Sequence, residues 1–355
     1  MAIGPAFLWN GGGTSMRVSR WVLALLFFGL TSLLADVCYE GFRGILGPLA
    51  FEKGGSWTDL GLVLAEAELI NWGLRLPAAI IADRLAAWWS LTILGYALTP
   101  VGVAVALAGG LGGVALGVAL ERLGKTLRAP ARDALLSGLS GRRGLVYAVH
   151  EVMDQVGAVT GPLLAYYAIA TGRVWLILVP GMASVAAILA ARAVYPGAPS
   201  PRGHPQLSLH ARFALLGATS LLLPHPVVIA AAAAAATGDA GAAPLAYTLA
   251  MLVDAVVALP LGKLYDTLGS ASLATAPIAG IAAGVLLATG HPIAASAAAG
   301  IALAAYETVY RAYVADHAPE RAAGFGALAL GIGVGQATSA IIYSLLALIA
   351  YPSPG

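Results

Sequence analysis

Apolar stretches of about twenty residues follow one another along the chain, and short polar links separate them. A stretch of this length can cross a bilayer as an α-helix, which satisfies its own backbone hydrogen bonds. The strict alternation of apolar and polar residues that a membrane β-barrel requires is not visible. The pattern predicts eleven spans, at residues 21–49, 57–81, 88–108, 111–127, 144–170, 173–195, 209–236, 243–262, 271–289, 293–313 and 322–349. We therefore expect an all-α polytopic membrane protein.

Composition supports the same class, because hydrophobic residues make up 59% and charged residues 10% of the 355-residue chain. A soluble globular protein has about 25% charged residues. The single cysteine, Cys38, falls inside the first span, so the sequence offers no disulfide framework and no cysteine cluster for a metal. His150 and Glu151 resemble the start of a zinc-protease helix, but Asp154 stands where the second histidine would be. We expect no metal, no cofactor and no enzymatic activity.

Basic residues collect at alternate ends of the predicted spans, as the positive-inside rule requires when the N-terminus is cytoplasmic. In that orientation the cytoplasmic side holds most of the 19 Lys and Arg residues, namely Arg17, Arg20, Arg84, Arg122, Lys125, Arg128, Arg132, Arg142, Arg143, Arg192, Arg202, Arg212, Lys263, Arg311 and Arg321. Lys53 and Arg173 fall in outer loops. The basic segment 122–143 has no interleaved aromatic residues, so we interpret it as an orienting loop and expect no nucleic-acid partner. We expect a monomer in the lipid bilayer of the cell membrane.

An internal repeat divides the chain. A proline is followed six residues later by an aspartate at Pro77–Asp83 and again at Pro260–Asp266, about half the chain length apart. Each copy ends a long apolar segment, which indicates an ancient duplication. We expect a cytoplasmic tail at 1–20, helical repeats at 21–195 and 209–355, and a Pro-rich cytoplasmic linker at 196–208. The same offset places the partner of the sixth span beyond Gly355, so we expect the second repeat to lack its last helix and the C-terminus to lie outside.

Four segments of the chain resemble parts of one known family. GLRLPAAIIADRL (73–85) and its echo LPLGKLYDTLG (259–269) resemble the loop motif after the second and eighth helices of the major facilitator superfamily. ERLGKTLRAPARDALLSGL (121–139) and GLVYAVHEVMDQVGAVTGPLLAYY (144–167) resemble the fourth-to-fifth helix region of its prokaryotic efflux-type permeases. The resemblance implies two six-helix repeats that alternate between inward-open and outward-open states about a central site.

The resemblance also implies a cytoplasmic gate, in which Asp83 pairs with basic groups and with the start of the eleventh helix. A carboxylate is stabilised by the positive N-terminal end of a helix, and such a contact can break and re-form. The chain departs from the family pattern at residues 86–89, Ala-Ala-Trp-Trp, where basic residues are usual, and at Thr267, where arginine is usual. The expected gate residues are Asp83, Arg84, Arg128, Arg132, Asp133 and Asp266.

Two helix bends are expected. Gly157, Gly161 and Pro162 resemble a motif associated with antiporters, and ordinary close packing of helices at glycine is the alternative. In the seventh span, Pro224 and Pro226 each remove a backbone donor, so this helix cannot remain regular. A broken helix beside a cavity is typical of gates and binding segments.

Charged residues inside the spans are the candidates for a proton or substrate path, because a charge that faces lipid without a partner is costly. Asp36, Glu40 and Arg43 share one face of the first helix. Glu307 has Arg311 four residues later, which predicts a local ion pair. The path is expected to include Asp36, Glu40, Arg43, Glu68, Arg75, Glu151, Asp154, Asp254 and Glu307. Ion pairing between helices is the alternative for these side chains.

Together these features predict a secondary active transporter that exports a small-molecule solute, with protons as the coupling ion. The sequence has no glycine-rich loop of the kind that cradles nucleotide phosphates, which argues against direct ATP drive. The alternatives are a proton-coupled importer of a sugar or organic acid and a non-transporting membrane sensor or scaffold.

Overall fold

The computed structural model describes residues 20–139, 143–197, 211–318 and 321–351. These residues form helices and short turns, with no strand among them. The helices are α1 (Arg20–Glu52), α2 (Trp57–Glu68), α3 (Arg75–Arg84), α4 (Trp88–Ala108), α5 (Leu111–Leu139), α6 (Arg143–Ala170), α7 (Leu178–Val194), α8 (Ala211–Ala218), α9 (Pro226–Thr237), α10 (Ala242–Leu268), α11 (Thr275–Ala288), α12 (Pro292–Glu307), α13 (Val309–His317) and α14 (Arg321–Ala350). Nearly all of the predicted tail at 1–20 and most of the predicted linker at 196–208 lie outside the described residues.

Some helices join end to end, so the described residues form eleven rods. A π-helical turn at Leu69–Gly73 joins α2 to α3, a 3-10 turn at Thr219–Leu222 follows α8 before α9, and Thr308 separates α12 from α13. Seven helical segments are long and apolar enough to cross a membrane, and one of them, Ala242–Ala288, contains both α10 and α11. The rods α2–α3, α5 and α6 are interrupted or carry several charged side chains. The all-α polytopic fold expected from the hydrophobic pattern is confirmed.

The rods form two halves, residues 20–194 and 211–350. In the first half α1 packs on α6 and α7, and in the second half α12 packs on α10 and α11. Between the halves, α2 packs on α14 and α6 packs on α10. The second rod of each half therefore meets the fifth rod of the other, which is the arrangement that a two-fold structural repeat produces.

The bundle has two ends, which we call the Arg20 face, where α1 begins, and the Glu52 face, where α1 ends. Near the Glu52 face the halves approach closely. A Cβ on Gly47 of α1 would overlap the Cβ of Ala231 of α9, and one on Gly61 of α2 would lie 2.9 Å from the Cβ of Ser344 of α14. Because glycine lets the backbones come this near, the halves are closed against each other on this face.

Helix α5 is longer than the sequence predicts. The fourth span was expected to end at residue 127 and to lead into a basic loop, but α5 continues to Leu139. Arg122 and Arg128 are 3% and 2% exposed, so they lie inside the bundle. The interpretation of 122–143 as a loop is therefore wrong as far as residue 139. Charged residues lower the hydropathy of a helix that lines a polar cavity as much as they lower that of a loop.

Candidate functional site

A cavity of about 760 Å³ lies between the two halves. Its lining includes side chains of α1, α2, α5 and α6 from the first half and of α10, α12 and α14 from the second. Asp133, Tyr147 and Phe325, which lie toward the Arg20 face, also line it, so the cavity extends from the closed Glu52 side toward that face. The volume falls in the range of small-molecule sites.

Three basic side chains surround the buried ring of Tyr39. The Arg122 guanidinium carbon lies 4.5 Å from the ring centroid, the Lys125 ammonium 4.1 Å, and the Arg43 guanidinium carbon 5.6 Å. Arg43 also donates a hydrogen bond of 2.9 Å to the Tyr39 hydroxyl. Helical spacing explains the grouping, since residues three or four apart share a face of α5 or of α1. We call Arg43, Arg122 and Lys125 the Tyr39 cation cluster.

Polar contacts cross between the halves next to this cluster. The Tyr247 hydroxyl of α10 donates a hydrogen bond of 2.7 Å to Glu40 of α1. Arg43 forms an ion pair with Glu68 of α2, with 3.6 Å between Nη2 and Oε1. The same Oε1 lies 3.4 Å from His225 Nε2 of the second half. These contacts tie α1 and α2 to α10 and to the start of α9.

His225 owes its position to the proline pair around it. The 3-10 turn ends at Leu222, and α9 begins at Pro226, so His225 is the N-cap residue of α9. Its Nδ1 accepts a hydrogen bond of 3.3 Å from the Val227 amide. Its Nε2 lies 3.4 Å from Glu68 Oε1 and 3.1 Å from Arg43 Nη2, so the ring contacts both members of that ion pair.

Asp36 and Arg128 meet inside the first half. Arg128 Nη2 lies 4.0 Å from Asp36 Oδ1, and Arg128 Nη1 donates a hydrogen bond of 2.7 Å to Thr99 of α4. Arg128, which the sequence placed at a gate, thus connects α5 to α1 and α4 within one half.

A second charged group lines the cavity closer to the Arg20 face. Arg132 donates to Asp133 Oδ1 at 3.1 and 3.0 Å, and its Nη1 lies 3.9 Å from Asp154 Oδ2. His150 Nε2 lies 3.7 Å from the same Asp154 oxygen. This group joins α5 to α6, so its charges are paired within the first half.

Three carboxylates in the cavity differ from the charged side chains above in their lack of partners. Glu151 of α6, Asp254 of α10 and Glu307 of α12 line the cavity. Among the described residues, none of the three carboxylates has an ion pair or a hydrogen-bond donor. Both glutamates are electrostatic neighbours of Asp254. We call these residues the acidic trio.

The local ion pair expected between Glu307 and Arg311 is wrong. Helix α12 ends at Glu307, and the backbone at Thr308 (φ −107°, ψ −65°) departs from helical geometry before α13 begins. Arg311 therefore does not lie one regular turn after Glu307, and no ion pair joins them in the described part of the chain. Arg75, another expected path residue, lies with its guanidinium carbon 4.4 Å from the Trp72 ring centroid.

The remaining expected gate residues lie at the Arg20 face. Asp83 accepts a hydrogen bond of 3.1 Å from Trp88 Nε1, one of the residues that depart from the family pattern. Arg84 and Asp266 are exposed. None of the three pairs with the opposite half among residues 20–139, 143–197, 211–318 and 321–351. Residues 319–320, just before α14, lie outside the described residues.

The glycines of the expected bend bring α6 against α1. A Cβ on Gly157 would lie 2.7 Å from the Leu33 carbonyl oxygen, and one on Gly161 would lie 2.6 Å from that of Val37. Pro162 follows within the continuous helix α6. Close helix packing is thus what the glycines do here, and a gating role stays a prediction.

Several cavity residues were not anticipated as site residues. Charge does not mark Tyr39, Tyr247 and His225, which lie in apolar stretches. The sequence analysis assigned Arg122 and Lys125 to a loop. The spacing of Arg122, Lys125 and Arg132 along one helical face was the available signal, since α5 would have to continue past residue 127 to use it. No pattern within one helix could have shown that Glu40 meets Tyr247.

Comparison with known proteins gives the relatives of this chain. No family model matches it. An uncharacterised protein of Mycobacterium tuberculosis is 35% identical over 371 aligned positions, which cover 95% of this chain and 89% of that protein. The fosmidomycin resistance protein of Escherichia coli is 30% identical over 178 positions, or 48% of this chain and 43% of that protein. An uncharacterised MFS-type transporter of Methanocaldococcus jannaschii is 28% identical over 139 positions, or 39% of this chain and 35% of that protein.

Solved structures share the whole architecture. The nucleoside transporter NupG has a TM-score of 0.73 at 11% identity and covers 91% of this chain and 90% of its own. A bacterial homologue of the human lysosomal transporter Spinster, in an inward-facing and unoccupied conformation, has a TM-score of 0.65 at 16% identity and covers 91% and 82%. These structures are multi-pass membrane transporters, and this chain shares their fold. The described residues therefore have the fold of the major facilitator superfamily, to which the MFS-type relative also points.

Proposed function

We propose that this transporter is a proton-coupled secondary active exporter of a small solute that works by alternating access. The observation that carries the proposal is the acidic trio, which faces a cavity between two halves that are closed at the Glu52 face. Asp254 is the buried member of the trio, and a buried intramembrane carboxylate without a partner is costly unless it has a functional role. The halves at 21–195 and 209–355 are the proposed rocking units.

The positions of the carboxylates support the proposed proton coupling. Glu151 belongs to the first half, whereas Asp254 and Glu307 belong to the second, so protonation of any of them changes the repulsion across the cavity. Asp36 and Glu40 are the second proposed pair of proton sites, and Glu40 must lose its Tyr247 partner when the Glu52 face opens.

The proposed orientation places the Arg20 face in the cytoplasm of the cell. Basic residues on this face are Arg20, Arg84, Arg192, Arg212 and Lys263, against Lys53 and Arg173 on the Glu52 face. Loops rich in Lys and Arg remain inside during membrane insertion. The N-terminus is then cytoplasmic, and the cavity faces the cytoplasm, from which an exporter loads its solute.

Export is favoured over import by one relative. The Escherichia coli protein is named for resistance to fosmidomycin, and resistance by a membrane transporter is explained by removal of the compound. Expression in a sensitive host tests the direction, because an exporter lowers the accumulation of at least one toxic compound. Raised accumulation of a solute in energised cells would instead identify an importer.

Asp254→Asn tests the coupling. Asparagine keeps the shape of the side chain but cannot bind a proton, so we expect the variant to lose solute-induced proton flux in liposomes that contain a pH-sensitive dye. Glu66→Gln is the matched control, since Glu66 is exposed on α2 and lies outside the cavity lining. Equal proton flux in wild type and Asp254→Asn would overturn the assignment. A wild-type protein that moves no solute at all would favour the sensor or scaffold alternative.

A further inference from the structure

Lys125 on the first half and Asp254 and Glu307 on the second half line one cavity, and none of the three has an ion pair or a hydrogen bond with the described residues. We propose that the solute is zwitterionic, with its anionic group bound by Arg122 and Lys125 of the first half and its cationic group bound by Asp254 and Glu307 of the second. This inference rests on the proposed transport function and names the substrate class of the same cavity.

Lys125 and Arg122 of the Tyr39 cation cluster favour an anionic group as the ligand. The Lys125 ammonium contacts the Tyr39 ring but forms no hydrogen bond or ion pair with the described residues. Arg122 Nε lies 3.2 Å from Glu121 Oε2, yet the geometry makes no hydrogen bond, and this buried nitrogen has no other partner. Buried donors without partners are costly, and an anionic group is the ligand that satisfies them best.

Tyr39 positions both of these cationic side chains. Its ring lies within 4.5 Å of the Arg122 guanidinium carbon and holds the Lys125 ammonium at 4.1 Å. Cations are attracted to the face of an aromatic ring, although more weakly than to an anion. The ring therefore positions both cations and leaves their hydrogen-bond donors available to a ligand.

The cationic end is argued from the acidic trio. Asp254 is 6% exposed, and its carboxylate has no partner among the described residues. Glu307 is its electrostatic neighbour on the adjacent helix. Arg311 and Lys125 are electrostatic neighbours of Glu307, whereas no cation is among the electrostatic neighbours of Asp254. A protonated amine between the two carboxylates would give the buried Asp254 the partner that it lacks.

Both sets of charged side chains line the same cavity. Lys125 is an electrostatic neighbour of Glu307, but the two form no ion pair. A solute with one charge would satisfy one set and leave the other uncompensated in a low-dielectric site. A solute with both charges would pair with the cations of the first half and with the carboxylates of the second half. Because it would bridge the halves, it would bind more tightly to the state in which the cavity is closed.

A series of small molecules of increasing length tests this proposal on the protein in detergent, and the test does not require transport. The probes are the ω-amino acids from β-alanine to aminohexanoate, each compared with the carboxylic acid and the alkylamine of the same length. Thermal stabilisation of the purified protein measures binding, since a ligand of the folded state raises the melting temperature. At one length or more, we expect the zwitterion to bind at least about tenfold more tightly than either single-charge analogue.

Variants test which side chains bind the anionic group of the solute and which bind its cationic group. Lys125→Gln should remove the difference in binding affinity between the amino acid and the alkylamine of the same length. Lys125→Arg should retain most of that difference. Asp254→Asn should remove the difference between the amino acid and the carboxylic acid. Lys263→Gln and Glu66→Gln, at exposed positions outside the cavity lining, should leave both differences intact. The melting temperature without ligand shows whether each variant has folded.

The outcomes separate this inference from the proposed function. If single-charge analogues bind as tightly as the zwitterion at every length, or if no zwitterion binds, the zwitterionic site is overturned whether or not the protein transports. If a zwitterion binds through Lys125 and Asp254 but moves no protons in liposomes, the site stands and the proton-coupled function falls.

Discussion

Glu40 and Tyr247 show how one hydrogen bond can report the state of the transporter. The 2.7 Å bond joins α1 to α10 next to the closed Glu52 face. A hydrogen bond to a charged group contributes about 1.5 to 3 kcal/mol, which corresponds to roughly a tenfold or larger change in a two-state equilibrium. The bond therefore favours the state seen here over one that is open at the Glu52 face.

Tyr247→Phe removes this bond and should increase the open fraction at the Glu52 face about tenfold. The measurement is labelling of a cysteine at Ser344, which packs against Gly61 in the closed state, by a maleimide that cannot cross membranes, in a background without Cys38. Tyr343→Phe is the control, because the Tyr343 hydroxyl bonds to Leu222 within the second half. Unchanged labelling in Tyr247→Phe would show that the bond does not hold this face closed.

Sequence reasoning found the charged residues but not their partners. Asp36, Glu40, Glu68 and Asp254 could be selected because a charge within a span is rare. Their contacts depend on how separate helices pack, so the pairing of Glu68 with His225 was not readable from spacing along the chain. The one pair that was predicted from spacing along a helix, Glu307 with Arg311, was wrong. The spacing rule requires a continuous helix, and the helix breaks at Thr308.

Glycine determines how closely the helices of the two halves approach. Gly47 of α1 faces Ala231 of α9, and no Cβ would fit there without movement. Packed helices cannot absorb an added side chain gradually, so a large residue at this position must push the halves apart.

Gly47→Leu should shift the transporter toward the state that is open at the Glu52 face and should slow transport. Gly112→Leu is the matched control, because nothing lies within 4 Å of a Cβ at Gly112 on α5. Maleimide labelling of the same Ser344→Cys reporter checks both variants. Equal labelling in the two would mean that the close approach at Gly47 does not control closure.

The helices themselves were predictable to different degrees. The proline pair at 224 and 226 correctly predicted a broken rod, since proline removes backbone donors whatever its surroundings. The length of α5 was not predictable from hydropathy, because its charged residues face a cavity that exists only after the halves assemble. The π-helical turn at Leu69–Gly73 gave no sequence signal at all.

At the scale of the whole molecule, the repeat found in the sequence corresponds to the symmetric packing of α2 on α14 and α6 on α10. The acidic trio is divided between the halves, so its negative charges oppose closure of the cavity on the Arg20 side. Protonation removes that repulsion. The central claim is that protonation of Asp254 and its neighbours allows the Arg20 face to close as the Glu52 face opens.

Distances between spin labels on the two halves test this claim most directly. One pair at Leu85 and Lys263 spans the Arg20 face, and another at Lys53 and Thr289 spans the Glu52 face. The buried Cys38, the one cysteine of the chain, is replaced by alanine. Acidification should shorten the first distance and lengthen the second, Asp254→Asn should produce part of the same shift at alkaline pH, and Glu66→Gln should not. Proton-driven alternating access would be contradicted if the two distances do not change with pH, or if both distances increase together on acidification.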